Sequence, residues 1–155
     1  MSETVRLADQ IRRAFEGEAW HGDSVLEILQ GVDAKTAAAH PIPGAHSIWE
    51  LLLHIAAWDH AIIRHANGNV VTLTDAENFP PVTDASAAAW RRAIDFATKT
   101  HNALVATVAA FPDSRLSEQA PGKKEPYYNF FYMFSGIVQH QLYHAGQIAL
   151  LKKFK

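Results

Sequence analysis

Apolar residues recur at helical spacing in four long stretches of the chain, which are separated by segments containing glycine and proline. In the second stretch, Leu51, Leu52 and Ile55 belong to one broad apolar face, the pattern of a helix packed against others. Four helices of about 20 residues each predict an all-α four-helix bundle. The expected helices run from Ser2 to Gly17, from Ser47 to Asn67, from Ser86 to Pro112 and from Tyr127 to Lys152.

Two serines mark the start of helical segments. Ser24 with Glu27, and Ser47 with Glu50, have the spacing of a capping box, in which serine and glutamate satisfy backbone N–H groups reciprocally. A short helix is therefore expected after Ser24, before the second long helix. Expected core residues on the long helices include Leu51, Ile55, Ile94, Phe134 and Ile148.

One connection is longer than a compact domain usually needs. The segment 69–84 has little periodicity and contains Pro80 and Pro81, so no strand or long helix is expected there. Connections of this length often cross a bundle or carry function.

Composition narrows the class of protein. The length of 155 residues predicts one domain, covering residues 1–155, and 48% hydrophobic residues are enough for a core. A net charge of −2 provides no electrostatic basis for binding nucleic acid or an anionic membrane. The absence of cysteine excludes disulfides, thiolate ligands and a cysteine nucleophile. The first residues lack the apolar run of a signal peptide, and no apolar stretch approaches the roughly 20 residues that span a bilayer, so a cytoplasmic protein is expected.

Two of the nine histidines form a helical pair. His140 and His144 are four residues apart in the fourth helix, and therefore lie one turn apart on the same face. This spacing allows two imidazoles to reach one metal ion, although the pair lacks the glutamate of a zinc-protease HExxH motif. The paired Glu-x-x-His motifs of di-iron bundles are also absent, which favours a single ion.

The best third ligand is His54, in the apolar second helix. A histidine among leucines needs a polar partner, and a cation shared with His140 and His144 would provide one. The alternative is that His54 is an ordinary core histidine with a hydrogen-bond partner. His65 returns to nearly the same face but lies about 16 Å further along the helix, too far to share the ion.

The other polar candidates have simpler interpretations. Glu50 could orient His54, but the complete capping box with Ser47 favours a capping role. Gln147 could line a pocket or bridge helices, and the hydroxyls of Tyr132 and Tyr143 could lie near the metal. His60 is expected to point away from the face of His54. The remaining histidines are expected to be surface or local hydrogen-bonding groups: His21, His40, His46 and His101.

Three stretches resemble the DinB-like (DinB/YfiT) superfamily. They are AFEGEAWHGDSVLEIL near the start, SIWELLLHIAAW around His54, and the ending HQLYHAGQIALLKK. The resemblance covers nearly the whole chain, and its most specific part is the HxxxHxGQI ending: His140, His144, Gly146, Gln147 and Ile148.

This resemblance implies properties that spacing alone does not show. The bundle would have up-down-down-up order, with the 69–84 segment as its crossover. His54, His140 and His144 would bind one divalent metal ion, commonly zinc or nickel. Members are often homodimers, and the best understood are transferases or isomerases that use a low-molecular-weight thiol, while others are metal-dependent hydrolases. The sequence therefore predicts a metal-dependent enzyme acting on a small molecule, or else a metal-binding or structural bundle without turnover.

Overall fold

The computed structural model describes residues 1–154, in which the regular elements are all helices and no strand is present. Four long helices form the bundle: α1 (Glu3–Glu16), α4 (Ile48–Ala66), α6 (Ala87–Ala109) and α7 (Phe130–Leu151). Three short helices lie in the connections: α2 (Val25–Leu29), α3 (Ala34–Ala38) and α5 (Asp75–Asn78). A 3₁₀ turn at Asp113–Arg115 follows α6. No helix in the described range is both long and apolar enough to cross a membrane.

Contacts between α4 and α6 show that these two helices are parallel. The rings of Trp49 and Trp90 lie 5.0 Å apart near the starts of the two helices, and Asp59 contacts His101 further along both. Two parallel helices that follow each other in sequence require a connection running the length of the bundle. The segment between them is therefore the crossover, as predicted.

The other two long helices, α1 and α7, are antiparallel to α4 and α6. Thr4 at the start of α1 hydrogen-bonds to Asp113, just beyond the end of α6, so α1 and α6 are antiparallel. Along α4, His54 lies against His144, whereas Ile62 shares a cavity with Met133, so α4 and α7 are antiparallel as well. The order is up-down-down-up, which confirms the fold class.

Capping residues explain where the helices begin. Both predicted capping boxes form, at Ser24 with Glu27 and at Ser47 with Glu50. A third box was not predicted: Thr74 and Glu77 cap α5 inside the crossover. Its single turn is too short for periodicity to reveal it.

The last helix begins three residues later than predicted, at Phe130 rather than Tyr127. The preceding residues pair instead with the loop before them, since Ala120 N–H donates to the carbonyl of Tyr128 at 3.0 Å. The Asn129 side chain then caps α7 by accepting a hydrogen bond from the Tyr132 N–H at 2.9 Å.

Buried apolar residues form two clusters, and each long helix contributes to both. Four of the five predicted core residues are buried, while Ile94 is only half-buried at the edge of one cluster. The largest fully buried side chains are Phe15, Phe130, Phe134, Ile11, Ile48, Leu52, Ile55, Leu104 and Ile148.

Two phenylalanines on α7 offer a matched test of this core. Phe134 is fully buried and Phe131 is 45% exposed. We expect Phe134→Ala to lower the free energy of unfolding by about 3–5 kcal/mol, because it removes buried surface and leaves a cavity. Phe131→Ala, on the same helix, should cost less than about 1 kcal/mol. Urea unfolding followed by circular dichroism measures both, and similar costs for the two variants would contradict the packing described here.

Candidate metal centre

Three histidines from two antiparallel helices meet inside the bundle. His54 comes from α4, and His140 and His144 come from successive turns of α7. The Nε2 atom of His140 lies 2.9 Å from that of His54 and 3.1 Å from that of His144. Their potential ligand atoms all lie within 4.8 Å of one another, and two of the rings are buried and the third partly buried. The three residues singled out from the sequence are thus brought together.

The crossover holds the His54 ring in place. The His54 Nδ1–H donates to the backbone carbonyl of Asn78 at 2.7 Å, and this carbonyl can only accept. The Phe79 ring stacks on the imidazole with centroids 4.0 Å apart. A neutral His54 therefore carries its proton on Nδ1 and directs the lone pair of Nε2 toward the other two rings.

The Gln147 side chain, on the same helix, holds the His144 ring in place. The His144 Nδ1–H donates to the amide oxygen of Gln147 at 2.6 Å, so its Nε2 is also a lone-pair donor. Gln147 thus acts within its own helix, rather than by bridging helices or lining a pocket. Such contacts to the second ring nitrogen are the usual way in which metal-ligating histidines are oriented.

The converging lone pairs fit a cation. A proton on His140 Nε2 can form a good hydrogen bond to only one of the two neighbouring Nε2 atoms, those of His54 and His144. A metal ion would bind all three nitrogens. Two nitrogens bound to one tetrahedral ion at about 2.0–2.1 Å lie about 3.3 Å apart, close to the separations found here. His140 differs from the other two rings because its Nδ1 is buried without a hydrogen-bond partner within residues 1–154.

Burial keeps these rings neutral. Burial lowers the pKa of His54 to about 4, with a smaller contribution from His144. Burial also lowers the pKa of His140 to about 3, aided by the charges of His144 and His54. Burial is also the main cause that lowers the pKa of His144. The three rings can therefore ligate a metal at neutral pH without first losing protons.

The residues around the cluster do not complete a closed shell. Within residues 1–154, no cysteine, aspartate, glutamate or further histidine joins the group. Glu50 caps α4 by accepting from the Ser47 N–H at 2.8 Å, and it also contacts His40 at 2.9 Å. The capping role predicted for Glu50 is confirmed.

A cavity of about 440 Å³ adjoins the cluster on the side of His140. It lies between α4 and α7, and its walls do not include His54 or His144. Tyr132 and Tyr143 border it, together with Trp58 from α4. A volume of this size accommodates a small molecule.

The prediction that His101 is a surface or local group is wrong. This side chain is fully buried in the bundle centre, where its Nδ1 lies 3.0 Å from Asp59. Gln141 joins them by donating to Asp59 at 3.0 Å, and the Phe15 ring stacks on His101 at 4.2 Å. Burial raises the pKa of Asp59, opposed by its contacts with His101 and Gln141. The sequence signal that could have found this network is the single aspartate on the apolar face of α4.

The other histidines lie apart from the cluster. His65 is buried three turns further along α4 and does not belong to the three-histidine group. His60 is exposed, and His40 and His46 lie near Glu50 at the start of α4. The His46 ring stacks on the far face of Phe79 at 3.7 Å, which links it indirectly to His54.

The fold and the site define an all-α bundle with three inward histidines and a cavity beside one of them. The chain belongs to the DinB superfamily, because that family's sequence profile matches residues 19–148. The match includes His54, His140 and His144 and begins after α1. No curated protein and no solved structure matches the chain significantly.

The lowered pKa of His54 predicts acid sensitivity of the metal-free protein. The unfolded chain takes up a proton at His54 below its ordinary pKa of 6.5, but the folded chain does so only near pH 4. The contribution of neutral His54 to the free energy of unfolding is therefore fully present above pH 6.5 and is lost as the pH falls toward 4. Between about pH 7 and pH 5, wild type should lose up to about 2 kcal/mol more than His54→Gln.

Urea unfolding at both pH values, in the presence of a chelator, measures this difference. The exposed His60→Gln variant is the matched control and should lose as much stability as wild type. Equal losses in the His54 variant and wild type would show that His54 is not held neutral by its surroundings.

Proposed function

We propose that this protein is a metal-dependent enzyme that activates a thiol or water for transfer to, or hydrolysis of, a small electrophilic substrate. His54, His140 and His144 hold one divalent ion, with zinc or nickel the favoured metals. The thiol is a low-molecular-weight compound such as those used by other members of the superfamily.

The observation that carries this proposal is the open three-nitrogen donor set beside a cavity. Three protein ligands with no fourth are typical of catalytic zinc sites, whereas structural sites are usually closed by four. The described residues offer no fourth ligand, and the cavity at His140 has room for a small molecule.

Each part of the site has a role that follows from its contacts. A bound divalent ion supplies Lewis acidity, which lowers the pKa of a thiol or water and makes a nucleophile at neutral pH. The hydrogen bonds that His54 and His144 donate to the Asn78 carbonyl and the Gln147 amide oxygen fix the tautomers of both rings and increase the basicity of their Nε2 atoms. The apolar residues around the rings exclude water, which strengthens these interactions.

The second candidate is a non-catalytic metal-binding or structural bundle. It is favoured by the depth of the cluster, since His54 is only 5% and His144 only 7% exposed. A metal that resists exchange and binds no thiol or substrate analogue would support this candidate. Turnover of an electrophile that depends on both metal and thiol would support the enzyme.

Substitution of the histidines tests the metal site directly. We expect His54→Ala and His140→Ala each to abolish stoichiometric binding of Zn²⁺ or Ni²⁺, because two nitrogens make a weak site. His65→Ala should still bind with wild-type stoichiometry, since His65 lies about three turns along the helix from His54.

Calorimetry on protein purified without a histidine tag measures this binding, and circular dichroism checks that each variant is folded. His65 is itself buried, so the exposed His60→Ala serves as a second control. If folded His54 and His65 variants bind equally well, His54 is a core histidine with an ordinary hydrogen-bond partner.

We further propose that residues 1–155 act as one domain and that the protein is a homodimer. All four long helices contribute to both core clusters, which supports a single domain.

Of the four tryptophans, Trp49 and Trp90 are buried and Trp58 is partly buried, but Trp20 is fully exposed. Phe96 on α6 is also 54% exposed. Exposed aromatic residues of this size are common where a partner binds.

Sedimentation equilibrium tests the homodimer. Wild type at micromolar concentration should have about twice the 17.2 kDa mass of one chain. Trp20→Ser is expected to weaken the dimer, because it removes the most exposed aromatic ring. The buried Trp90→Phe variant is the control and should dimerise as wild type does. A monomer mass for wild type would count against the proposal.

A further inference from the structure

Aromatic side chains form much of the wall of the cavity beside His140. It occupies about 440 Å³ between α4 and α7. Trp58 lies on the α4 side, and Tyr128, Tyr132 and Tyr143 come from α7 and the segment before it. Four aromatic rings around one space favour a flat, unsaturated ligand, since aromatic contacts add to simple burial of area.

The tyrosine hydroxyls are available to such a ligand. Those of Tyr128, Tyr132 and Tyr143 make no hydrogen bond to another residue in the described part of the chain. The ordinary pKa of tyrosine, 10.0, already keeps the Tyr128 hydroxyl neutral and able to donate at physiological pH, and burial raises this pKa further. The Trp58 N–H, in contrast, is already used by the Asn78 side chain at 2.9 Å.

The cavity lacks the charges that an ionic ligand needs. Among the described residues, no aspartate, glutamate, lysine or arginine lines it. An anion would find no counter-charge among the wall residues, so the hydration that it loses there is not replaced. A cation would be repelled by the Lys123 ammonium, which lies 4.8 Å from the centroid of the Tyr128 ring.

We propose that this cavity binds the uncharged, aromatic part of the electrophilic substrate and presents it to the site at His140. The proposal rests on the function proposed above and narrows its substrate class. Free tyrosine hydroxyls would orient a neutral acceptor on the ring, such as a carbonyl or nitro oxygen. Charged substrates of similar size find no side chain of opposite charge on the walls, so the walls themselves favour a neutral ligand.

Gly136 borders the cavity without a side chain to fill it. It lies on α7 one turn before His140 and borders the cavity, and a Cβ atom added there would meet nothing within 4 Å. A larger side chain at this position would therefore extend into the cavity without disturbing the helix, and replacing glycine favours helix formation. Gly146 provides a matched control, because it lies on the same helix, is equally unobstructed and does not border the cavity.

Three near-isosteric probes test the proposal: 4-nitrobenzamide, 4-nitrobenzoate and 4-nitrophenyltrimethylammonium. Binding is measured by calorimetry on metal-free protein, so that coordination of the carboxylate by a metal cannot contribute. We expect the neutral probe to bind at least about tenfold more tightly than either ion. Gly136→Leu should weaken binding of the neutral probe by about tenfold or more, whereas Gly146→Leu should change it by less than about twofold.

Equal or tighter binding of either ion would overturn the proposal, and so would unaltered binding of the neutral probe to Gly136→Leu. Circular dichroism and zinc stoichiometry of both glycine variants show whether the fold and the histidine site are intact. If the wild-type protein does not bind zinc at the three histidines, the proposed function is wrong. Selective binding of the neutral probe would still support the assignment of the cavity. The two failures are therefore distinguishable.

Discussion

The contact between α4 and α7 places polar side chains from two antiparallel helices at one depth in an apolar bundle. His54 meets His140 and His144 there, and Asp59 meets Gln141 nearby. Buried polar groups are costly without partners, so this register cannot slide without leaving them unsatisfied. The same pairing that stabilises the bundle thus fixes the relative positions of the three imidazoles, and a site built on rigid helices is held more precisely than one built on loops.

The crossover contributes to the site as well as to the topology. The up-down-down-up order requires a connection along the bundle, and that connection passes over the His54 ring. The Asn78 carbonyl fixes the tautomer of His54, and Phe79 is stacked between His54 and His46. A long connection that looks irregular in sequence therefore supplies the orienting contacts that a metal ligand needs. Short α5, with its own capping box, holds this part of the crossover in place.

The bundle has two polar networks that differ in their accessibility to ligands. The Asp59, His101 and Gln141 network is sealed in the centre, and its contacts join α4, α6 and α7. The histidine cluster lies nearer the surface and adjoins a cavity at His140. The sealed network suits a structural role, whereas the cluster beside the cavity suits binding and chemistry, because only there can a small molecule approach.

The sequence by itself determined the four long helices, two of the capping boxes and the His140–His144 pair, and it nominated His54 as the third ligand from its apolar surroundings and the family resemblance. Periodicity and capping are local, and the i, i+4 pair lies on one helix face wherever the helix is placed. Only the tertiary structure decided that His101 is buried beside Asp59 and that His54 is oriented by Asn78. These contacts join residues 42 and 24 positions apart, so no local pattern encodes them. The start of α7 also depended on a distant pairing, since bonds to the 118–120 segment keep the residues before Phe130 out of the helix.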